Sequence, residues 1–437
     1  MRRRSLILSL NFPPSNIASV HRGRHLANEL HNFGWDPLIL TVNPRFYKEK
    51  SDLELLKLVK GKTPILETDA LPLSLTRWLQ IGDLGLRTLP YLHQKMRNVC
   101  EAHRPSVVFM TGWPFYQMLS TKWIEQVLKL PVILDFQDPW VSAEGALRPK
   151  LSKGGLSHRL ATVLEPMAVR HASFITSVSD RQNNEMAARY PWLDCTRMAA
   201  VPIGGDPEDF DALRRNPPSN PQVKLEPGRI HLSYVGTFLP KAGPLVRTLF
   251  DALADLRRDH PALAERLQLN FVGTSNQPAG GGAHLVSPIA ESAGVGDLVH
   301  EHPPRVPFLE ALSILASSNG LLMIGSDEPH YTASKIYPGL MSGTPFLSLF
   351  HAASSAHHIL SEAGGGLAYG FETLEALTAL RPDLAQGLAR LAEAPTSLGS
   401  ANPKAYEAFT ARSVAGRYAK IFEQVVDNFN GGPPTFP

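Results

Sequence analysis

The stretch "RRNPPSNPQVKLEPG", residues 214–228, interrupts a regular alternation of apolar runs and helical patterns. It is rich in proline and has no apolar period, which is typical of a linker between domains. The chain has 437 residues, a length too great for one ordinary hydrophobic core. We therefore predict an N-terminal domain at residues 1–215, a linker at residues 216–228 and a second domain at residues 229–400.

Short apolar runs alternate with helical patterns on both sides of this linker. Runs of this kind are typical of strands that are buried on both faces of a parallel sheet. The clearest runs are "SLILSL" (5–10), "SVVFMTG" (106–112), "PVILDFQ" (131–137), "IHLSYVGTF" (230–238), "LQLNFVG" (267–273) and "LLMIG" (321–325). The predicted fold class is α/β, with two doubly wound, Rossmann-like domains. A last helix, predicted at residues 405–430, has apolar residues along one stripe.

Composition excludes several classes of protein. Hydrophobic residues make up 43% and charged residues 19%, which is ordinary for a globular chain and argues against disorder. A formal net charge of +3 is too small to indicate nucleic acid as a partner. Cys100 and Cys195 are far apart, so we expect neither a disulfide framework nor a zinc site, and a reducing cytoplasm is the natural compartment.

Membrane contact is a separate expectation. No apolar stretch approaches the roughly 20 residues that a helix needs to span a bilayer. Basic residues cluster in "MRRR" (1–4) and "HRGRH" (21–25). These clusters could favour an anionic substrate or an acidic membrane surface, or they could simply be solvated. If the protein contacts a membrane, we expect it to lie on the surface through its basic N-terminal domain.

The loop after the first strand of the second domain, "TFLPKAGP", has the features of a phosphate site. Gly236 permits a close backbone turn, Thr237 offers a hydroxyl, and Lys241 places a cation just before a helix. A lysine beside a helix N-terminus gives an anion positive potential. The alternative is an ordinary loop with an exposed lysine.

The segment "TASKIYPGLMSGTPFL" (332–347) carries a second candidate. Ser334 or Thr332 can cap the helix that follows, and Lys335 stands in its first turn. Pro338 limits where that helix begins, because its missing N–H costs nothing only within the first turn. We therefore expect the helix to begin at Lys335 or Ile336, beside a bound phosphate.

Polar residues also follow the strand "PVIL" in "DFQDPW". Asp135 and Asp138 could bind sugar hydroxyls, act as a base or stabilise a cationic transition state. Trp140 could stack on a sugar ring. The alternative is that Asp135 fixes the turn and that Trp140 belongs to the core. No histidine lies close by in the sequence, so a metal pair has weak support.

Taken in order, these segments resemble a nucleotide-sugar glycosyltransferase of the GT-B fold, in the group 1, family 4-like enzymes. The resemblance covers nearly the whole chain and rests on the order of the segments. It includes "NFPPSNIASVHRGRHLANEL" (11–30), "EPMAVRHASFITSVSD" (165–180), "VPIGGDPEDF" (201–210) and "ASKIYPGLMSGTP" (333–345). The fold it implies has two domains that face each other across a cleft and a C-terminal helix that crosses back to the first domain.

The resemblance also assigns roles to individual residues. Lys241 matches a lysine that contacts the diphosphate, and Thr237 stands where many members keep an arginine. Asp138 lies in the loop that faces the transferred sugar, and Gln137 replaces the usual histidine there. Ser334 and Lys335 match an "SK" variant of the donor motif.

Two departures from the family pattern concern the phosphates and the ribose. Ile17 and Ala18 stand where paired glycines usually approach the phosphates, so we expect Arg22 to supply charge instead. His330 and Pro338 occupy the places of two glutamates, the second of which normally binds the ribose hydroxyls. We expect altered recognition of the nucleoside.

The residues expected at the site fall into three groups. The catalytic candidates are Asp138 and Arg22. The acceptor or sugar candidates are Asp135, Trp140 and His21. The donor-binding candidates are Gly236, Thr237, Lys241, Ser334, Lys335, Ile336, His330 and Tyr337.

The implied activity is transfer of a sugar from a nucleoside diphosphate to an acceptor hydroxyl on a glycan, a lipid-linked molecule or a small molecule. We expect a cytoplasmic or membrane-associated enzyme of bacterial surface polysaccharide or glycoconjugate synthesis. The resemblance implies that it requires no cofactor and no metal ion and that it retains the configuration of the sugar. Two alternatives stay open. One is a sugar-nucleotide binding protein that has lost turnover together with the glutamates, and the other is a sugar-nucleotide epimerase of the same fold.

Overall fold

The chain divides into two compact units. The computed structural model describes residues 2–61, 63–79, 82–275, 282–328 and 334–431. Unit 1 comprises Met1–Ile203 together with Ala411–Pro437, and unit 2 comprises Gly204–Thr410. The division therefore falls before residue 216, where the sequence predicts the linker.

Unit 1 is built on a seven-stranded parallel sheet. Its strands are β1 (Arg3–Leu8), β2 (Trp35–Val42), β3 (Ile65–Thr68), β4 (Val107–Thr111), β5 (Val132–Phe136), β6 (Phe174–Ser177) and β7 (Met198–Ala200). Their spatial order is β3-β2-β1-β4-β5-β6-β7. The order reverses between β1 and β4, and in open parallel sheets the loops at such a point form the usual ligand site.

Helices connect these strands. Those of unit 1 before residue 204 are α1 (Val20–Glu29), α2 (Leu73–Thr76), α3 (Leu84–His103), α4 (Thr121–Trp123), α5 (Ala143–Ala146), α6 (Lys153–Val169) and α7 (Asp180–Arg189). The sheet residues of unit 1 are largely apolar and buried on both faces, as in the central run of β5. This agrees with the continuous apolar runs of the sequence.

Unit 2 repeats the plan with six parallel strands. They are β8 (Ile230–Val235), β9 (Leu267–Val272), β10 (Val299–His302), β11 (Gly320–Ile324), β12 (Phe346–His351) and β13 (Gly366–Phe371). Their order is β10-β9-β8-β11-β12-β13, so the order reverses between β8 and β11. The two predicted phosphate loops follow these two strands.

The helices of unit 2 include one that the sequence assigned to the first domain. They are α8 (Pro207–Arg215), α9 (Gly243–Asp259), α10 (Pro261–Ala264), α11 (Ser287–Ser292), α12 (Phe308–Ser317), α13 (Ile336–Met341), α14 (Ser355–Ala363), α15 (Leu374–Ala379), α16 (Arg381–Glu393) and α17 (Pro403–Tyr406). Helix α8 packs against α12, which places residues 204–215 in unit 2.

The last helix, α18 (Ala411–Phe429), completes the core of unit 1. Val414, Tyr418 and Phe422 are fully buried and pack among side chains of the sheet and of α1. The predicted return of the C-terminal helix to the first domain is confirmed. The helix begins later than residue 405, because the chain before it stays with unit 2, where Thr410 pairs with Gly205 in an isolated bridge.

None of the helices in the described residues is both long and apolar enough to cross a bilayer.

Candidate functional site

In unit 2, a tight backbone turn follows β8. Gly236 has a φ of +133°, a conformation that side chains with a Cβ rarely adopt. Its amide donates to the carbonyl of Val272 at 2.8 Å. A Cβ on Gly236 would lie 3.4 Å from Cδ of Lys335. The glycine therefore brings the backbone close to the lysine that the sequence assigns to a phosphate.

Lys335 lies against an aromatic ring of β8. Its Nζ is 3.8 Å from the ring centroid of Tyr234 and also donates to the Tyr234 hydroxyl. That hydroxyl in turn donates to the carbonyl of Thr237 at 2.8 Å. Desolvation by the surrounding protein lowers the pKa of Lys335 to about 7. Within the described part of the chain no carboxylate forms an ion pair with this ammonium, so a bound anion would supply the missing charge.

The helix after Lys335 begins where the sequence predicts. Helix α13 starts at Ile336, and the amide of Tyr337 donates to the carbonyl of Ser334 at 3.3 Å. Pro338 is the third residue of the helix, within its first turn, where the lack of an N–H leaves no bond unmade.

The side chains of the first two helical residues differ from expectation. Ile336 and Tyr337 are predicted to bind the donor, but both are buried, and the Tyr337 ring packs 5.0 Å from that of Phe409. Their side chains fill the core because α13 turns this face inward. The neighbouring Ser334 is exposed beside Lys335, whereas His330 lies outside the described residues.

Lys241 lies at the surface and forms an ion pair. Its Nζ is 2.5 Å from Oε1 of Glu328, and both side chains are about half exposed. Exposed ion pairs of this kind contribute little to stability. A phosphate that binds Lys241 would have to compete with this carboxylate.

In unit 1, Asp135 occupies the centre of a buried polar network. Its carboxylate accepts hydrogen bonds from Thr111 and Thr176 at 2.9 and 2.8 Å, from Tyr418 at 2.8 Å and from Nε of Arg22 at 3.2 Å. The side chain has no exposed surface. The network ties the ends of β4, β5 and β6 to α1 and α18.

Arg22 belongs to the same network and not to an open site. Its guanidinium also donates to the carbonyls of Val201 and Pro202 at 2.5 and 2.7 Å and lies 5.0 Å from the ring centroid of Tyr418. Both Arg22 and Asp135 are completely buried. The predicted contact of these two side chains with a ligand is therefore wrong for this structure; they hold the loops that carry other residues.

Asp138 differs from Asp135 in its surroundings. It is exposed at the carboxyl end of β5, and its carboxylate makes no hydrogen bond within the described residues. Desolvation by neighbouring protein atoms nevertheless raises the pKa of Asp138. The adjacent Gln137 is buried and donates to Thr111 at 2.7 Å and to the carbonyl of Ser19 at 3.2 Å. Gln137 thereby fixes the start of the loop, and Asp138 is left facing solvent.

Trp140 is part of the core. Its ring is stacked 5.6 Å from that of Phe115 and packs edge-on against Tyr116 at 5.7 Å. Only 9% of its surface is exposed. The predicted stacking on a sugar is wrong, and the alternative stated for Trp140 from the sequence is correct.

His21 stands at the start of α1, in a cluster of basic side chains. Its Nδ1 lies 3.3 Å from Nη2 of Arg24, and its ring centroid is 6.0 Å from that of His25. Burial, with added repulsion from Arg24, holds the pKa of His21 well below its usual range. His21 is therefore neutral at pH 7 and can accept or donate a hydrogen bond.

One residue that fixes this site was not predicted from the sequence. Glu165 of α6 is fully buried and accepts hydrogen bonds from the amide of Val141 at 3.0 Å and from Arg189 and Tyr190 at 2.9 Å. It holds the end of the loop that carries Asp138. A glutamate in an otherwise apolar stretch of helix is the signal that could have found it.

The structure thus brings the expected residues together in two groups. In unit 2, Thr237 and Lys335 contact Tyr234, Gly236 lies close to Lys335, and Ser334 directly precedes Lys335 in the chain. In unit 1, Asp138 is exposed at the end of the network around Asp135. No group of three histidine, cysteine, aspartate or glutamate residues suited to a metal ion occurs in the described ranges.

The family comparison finds a match over part of the chain. Residues 20–204 match the family model described as glycosyl transferase 4-like domain. They include α1 and the strands from β2 to β7. A search of curated protein sequences finds no match.

Solved structures share the fold along the whole chain. Sucrose-phosphate synthase from Thermosynechococcus elongatus has a TM-score of 0.56 at 14% identity, over 98% of this chain and 100% of that one. HepE of Anabaena, solved in complex with UDP, has a TM-score of 0.53 at 13% identity, over 97% and 100%. WaaG, a glycosyltransferase involved in lipopolysaccharide biosynthesis, has a TM-score of 0.52 at 14% identity, over 98% and 100%. At such identities the likeness is one of fold.

Proposed function

We infer that the protein is a glycosyltransferase, on the premise that residues 20–204 form a glycosyl transferase 4-like domain and that the chain has the GT-B fold. The donor that we propose is a sugar linked to a nucleoside diphosphate. The observation that carries the proposal is the ammonium of Lys335, which has no carboxylate partner in the described residues and lies beside the Gly236 turn where β8 and β11 end.

Unit 2 would bind the diphosphate of the donor. Lys335 supplies positive charge in a desolvated position, where an electrostatic interaction is stronger than in water. Gly236 lets the backbone approach, and the hydroxyls of Thr237 and Ser334 can donate to phosphate oxygens. HepE, solved with UDP, has the same fold, which supports a nucleotide ligand without identifying the base.

Unit 1 would contribute to the reacting sugar and the acceptor. In the proposed reaction, the acceptor oxygen forms a bond to the anomeric carbon while the bond from that carbon to the diphosphate breaks. The electron pair leaves on the diphosphate, which also takes the hydroxyl proton. We assign Asp138 to the stabilisation of positive charge on the sugar and His21 to a hydrogen bond with a substrate hydroxyl.

The finer features of this proposal rest on the family resemblance. We propose that the enzyme retains the configuration of the sugar and needs no metal ion. We also propose that it acts in bacterial surface polysaccharide or glycoconjugate synthesis. WaaG, with the same fold, acts in lipopolysaccharide biosynthesis, which supports a glycan or lipid-linked acceptor. A cytoplasmic location is proposed on the same basis.

Titration calorimetry with UDP and with GDP tests the donor site. We expect one of the two to bind, and Lys335→Met to weaken binding by about tenfold or more, because a charge-assisted hydrogen bond is lost at a desolvated position. Lys241→Ala should weaken binding less, since its charge is already paired with Glu328. Lys404→Ala is the matched control, an exposed lysine of the same unit. Equal binding by wild type and Lys335→Met would contradict the assignment.

A second candidate function follows from Pro338. This residue replaces a glutamate that binds ribose in the family, and its neighbour Tyr337 is buried. A protein that binds a nucleotide-sugar without turnover would have these features.

Release of the nucleoside diphosphate in the presence of acceptor mixtures distinguishes the enzyme from the binding protein, with Asp138→Asn as the test variant. We expect turnover in wild type and a decrease of about a hundredfold in kcat for Asp138→Asn with KM little changed. Tight binding without release in wild type would favour the second function.

A further inference from the structure

Much of the basic charge in the segments 1–4 and 21–25 is buried or paired with a carboxylate. Arg22 and Arg24 are completely buried. Arg2 and Arg3 form ion pairs with Asp36 and Asp427. A different part of unit 1 has the exposed apolar and basic side chains that a membrane surface requires.

Helix α6 is apolar on two opposite faces. Its inner face buries Ala161, Ala168 and Val169 together with Glu165. The other face carries an apolar stripe at a helical spacing of four, three and four residues. This stripe consists of Leu156, Leu160, Val163 and Met167, which are 51%, 45%, 60% and 59% exposed. A helix that packs on one side normally turns polar side chains to water on the other, so the stripe has the character of a contact surface.

Two further leucines extend this stripe. Leu147 and Leu151, in the loop before α6, are both 86% exposed. The loop is held in place, because Ser152 caps the helix at the amide of Gly155. A Cβ at Gly155 would lie 2.2 Å from the carbonyl oxygen of Pro149, so the glycine lets the loop backbone rest on the helix. The two leucines are therefore held at the N-terminal end of the stripe.

Basic side chains border the stripe. The exposed ones are Arg148, Lys150, Lys153, Arg159 and Arg170. Residues 145–164 contain no aspartate or glutamate at all. On a helical projection Lys153 and Arg159 lie on opposite sides of the stripe. At its far end the guanidinium of Arg170 lies 5.0 Å from the ring centroid of Trp192, which is 43% exposed.

We propose that this surface, which we call the α6 surface (Leu147, Leu151, Leu156, Leu160, Val163 and Met167 with their basic border), binds the face of a bilayer that contains anionic lipid. The apolar side chains would enter the region between head groups and acyl chains, and the basic ones would contact lipid phosphates. Tryptophan at the edge of the surface is typical of an interfacial position. The stripe from Leu156 to Met167 is about 16 Å long, parallel to the membrane in this arrangement.

Charge favours a bilayer over a second copy of the chain as the occupant. Self-association through this surface would bring its basic residues close to those of the partner, with no acidic residue between 145 and 164 to neutralise them. An anionic lipid surface has the opposite charge. The proposal does not depend on the glycosyltransferase activity, and its test uses no substrate.

The test is co-sedimentation of the full chain with vesicles of phosphatidylcholine alone and of phosphatidylcholine mixed with phosphatidylglycerol. We expect binding to the anionic vesicles. Leu147→Ser/Leu151→Ser should lower the partition coefficient by about tenfold or more, because it removes two apolar side chains from the interface. Lys150→Gln/Lys153→Gln should lower it by about fivefold for each charge at low salt, and by less at high salt.

The matched control is Leu53→Ser/Leu374→Ser, two exposed leucines outside the α6 surface. This variant should bind vesicles like the wild type. Leu147 and Leu151 are so exposed that their replacement should leave the melting temperature unchanged, which circular dichroism verifies. Equal binding by all variants, no binding to anionic vesicles, or a dimer in solution that Leu147→Ser/Leu151→Ser converts to a monomer would overturn the proposal.

Discussion

Lys335 has a pKa near neutrality because of where its side chain lies. Desolvation next to the Tyr234 ring disfavours the ammonium form and lowers the pKa to about 7. An anion at Nζ would restore the charged form. Burial thus raises the free energy of the charged lysine in the free protein. A bound phosphate would offset that penalty, so the protonation of Lys335 depends on the ligand.

This predicts a pH dependence of ligand affinity. A nucleoside-diphosphate sugar should bind most tightly below pH 7, where Lys335 is protonated. Affinity should fall above pH 7, approaching about tenfold per pH unit, because the bound state then has to take up a proton. The measurement is calorimetric titration between pH 6 and pH 9, in buffers of different ionisation enthalpy. Lys335→Met should remove the slope, and a slope retained in that variant would assign the titration to another group.

At the scale of the element, α18 is attached to unit 1 through a polar contact as well as an apolar one. Tyr418 donates to Asp135 at 2.8 Å from within a face that buries Val414 and Phe422. Burial places the pKa of this phenol well above its usual range, so it remains a donor at any physiological pH. The hydrogen bond specifies how the helix lies on the sheet.

Removing this hydroxyl should weaken unit 1. Tyr418→Phe deletes a hydrogen bond to a buried carboxylate, and we expect a loss of about 1.5 kcal/mol or more in the free energy of unfolding. Asp135→Ala should cost more, about 3–5 kcal/mol, because it leaves Arg22 buried without its charge partner. Denaturant unfolding followed by circular dichroism measures both. Tyr91→Phe, at an exposed site of α3, is the control and should have no effect.

At the scale of the whole molecule, apolar periodicity was sufficient to predict the fold. Buried parallel strands and amphipathic helices have sequence patterns that do not depend on distant residues, so the two Rossmann-like units follow from the sequence. The return of α18 to unit 1 was implied only by the family resemblance, because an apolar stripe does not say which sheet the helix covers. The start of α13 could also be predicted, because Pro338 permits only a few positions. The place where the chain passes from one unit to the other could not, since α8 is assigned by its packing on α12.

The candidate site was predictable only in part. Asp135 and Asp138 are three residues apart and chemically identical, yet the first is buried in a network and the second is exposed. The difference depends on Thr111, Thr176 and Tyr418, which come from remote parts of the chain. Likewise, the contact between Lys335 and Tyr234 joins the start of α13 to β8, two elements that are distant in sequence. Sequence patterns identify the loops, whereas long-range packing decides which side chains remain accessible.

The return of α18 has a consequence for synthesis of the protein. Unit 2 is one continuous segment, Gly204–Thr410, and all of it leaves the ribosome before the residues of α18 do. Translation at roughly 5–20 residues per second would keep the sheet of unit 1 without this helix for roughly 10–40 seconds. During that interval the apolar positions around Phe109 and Trp35, which α18 later covers, are open to chaperones. The first unit to be translated is thus the last to be completed.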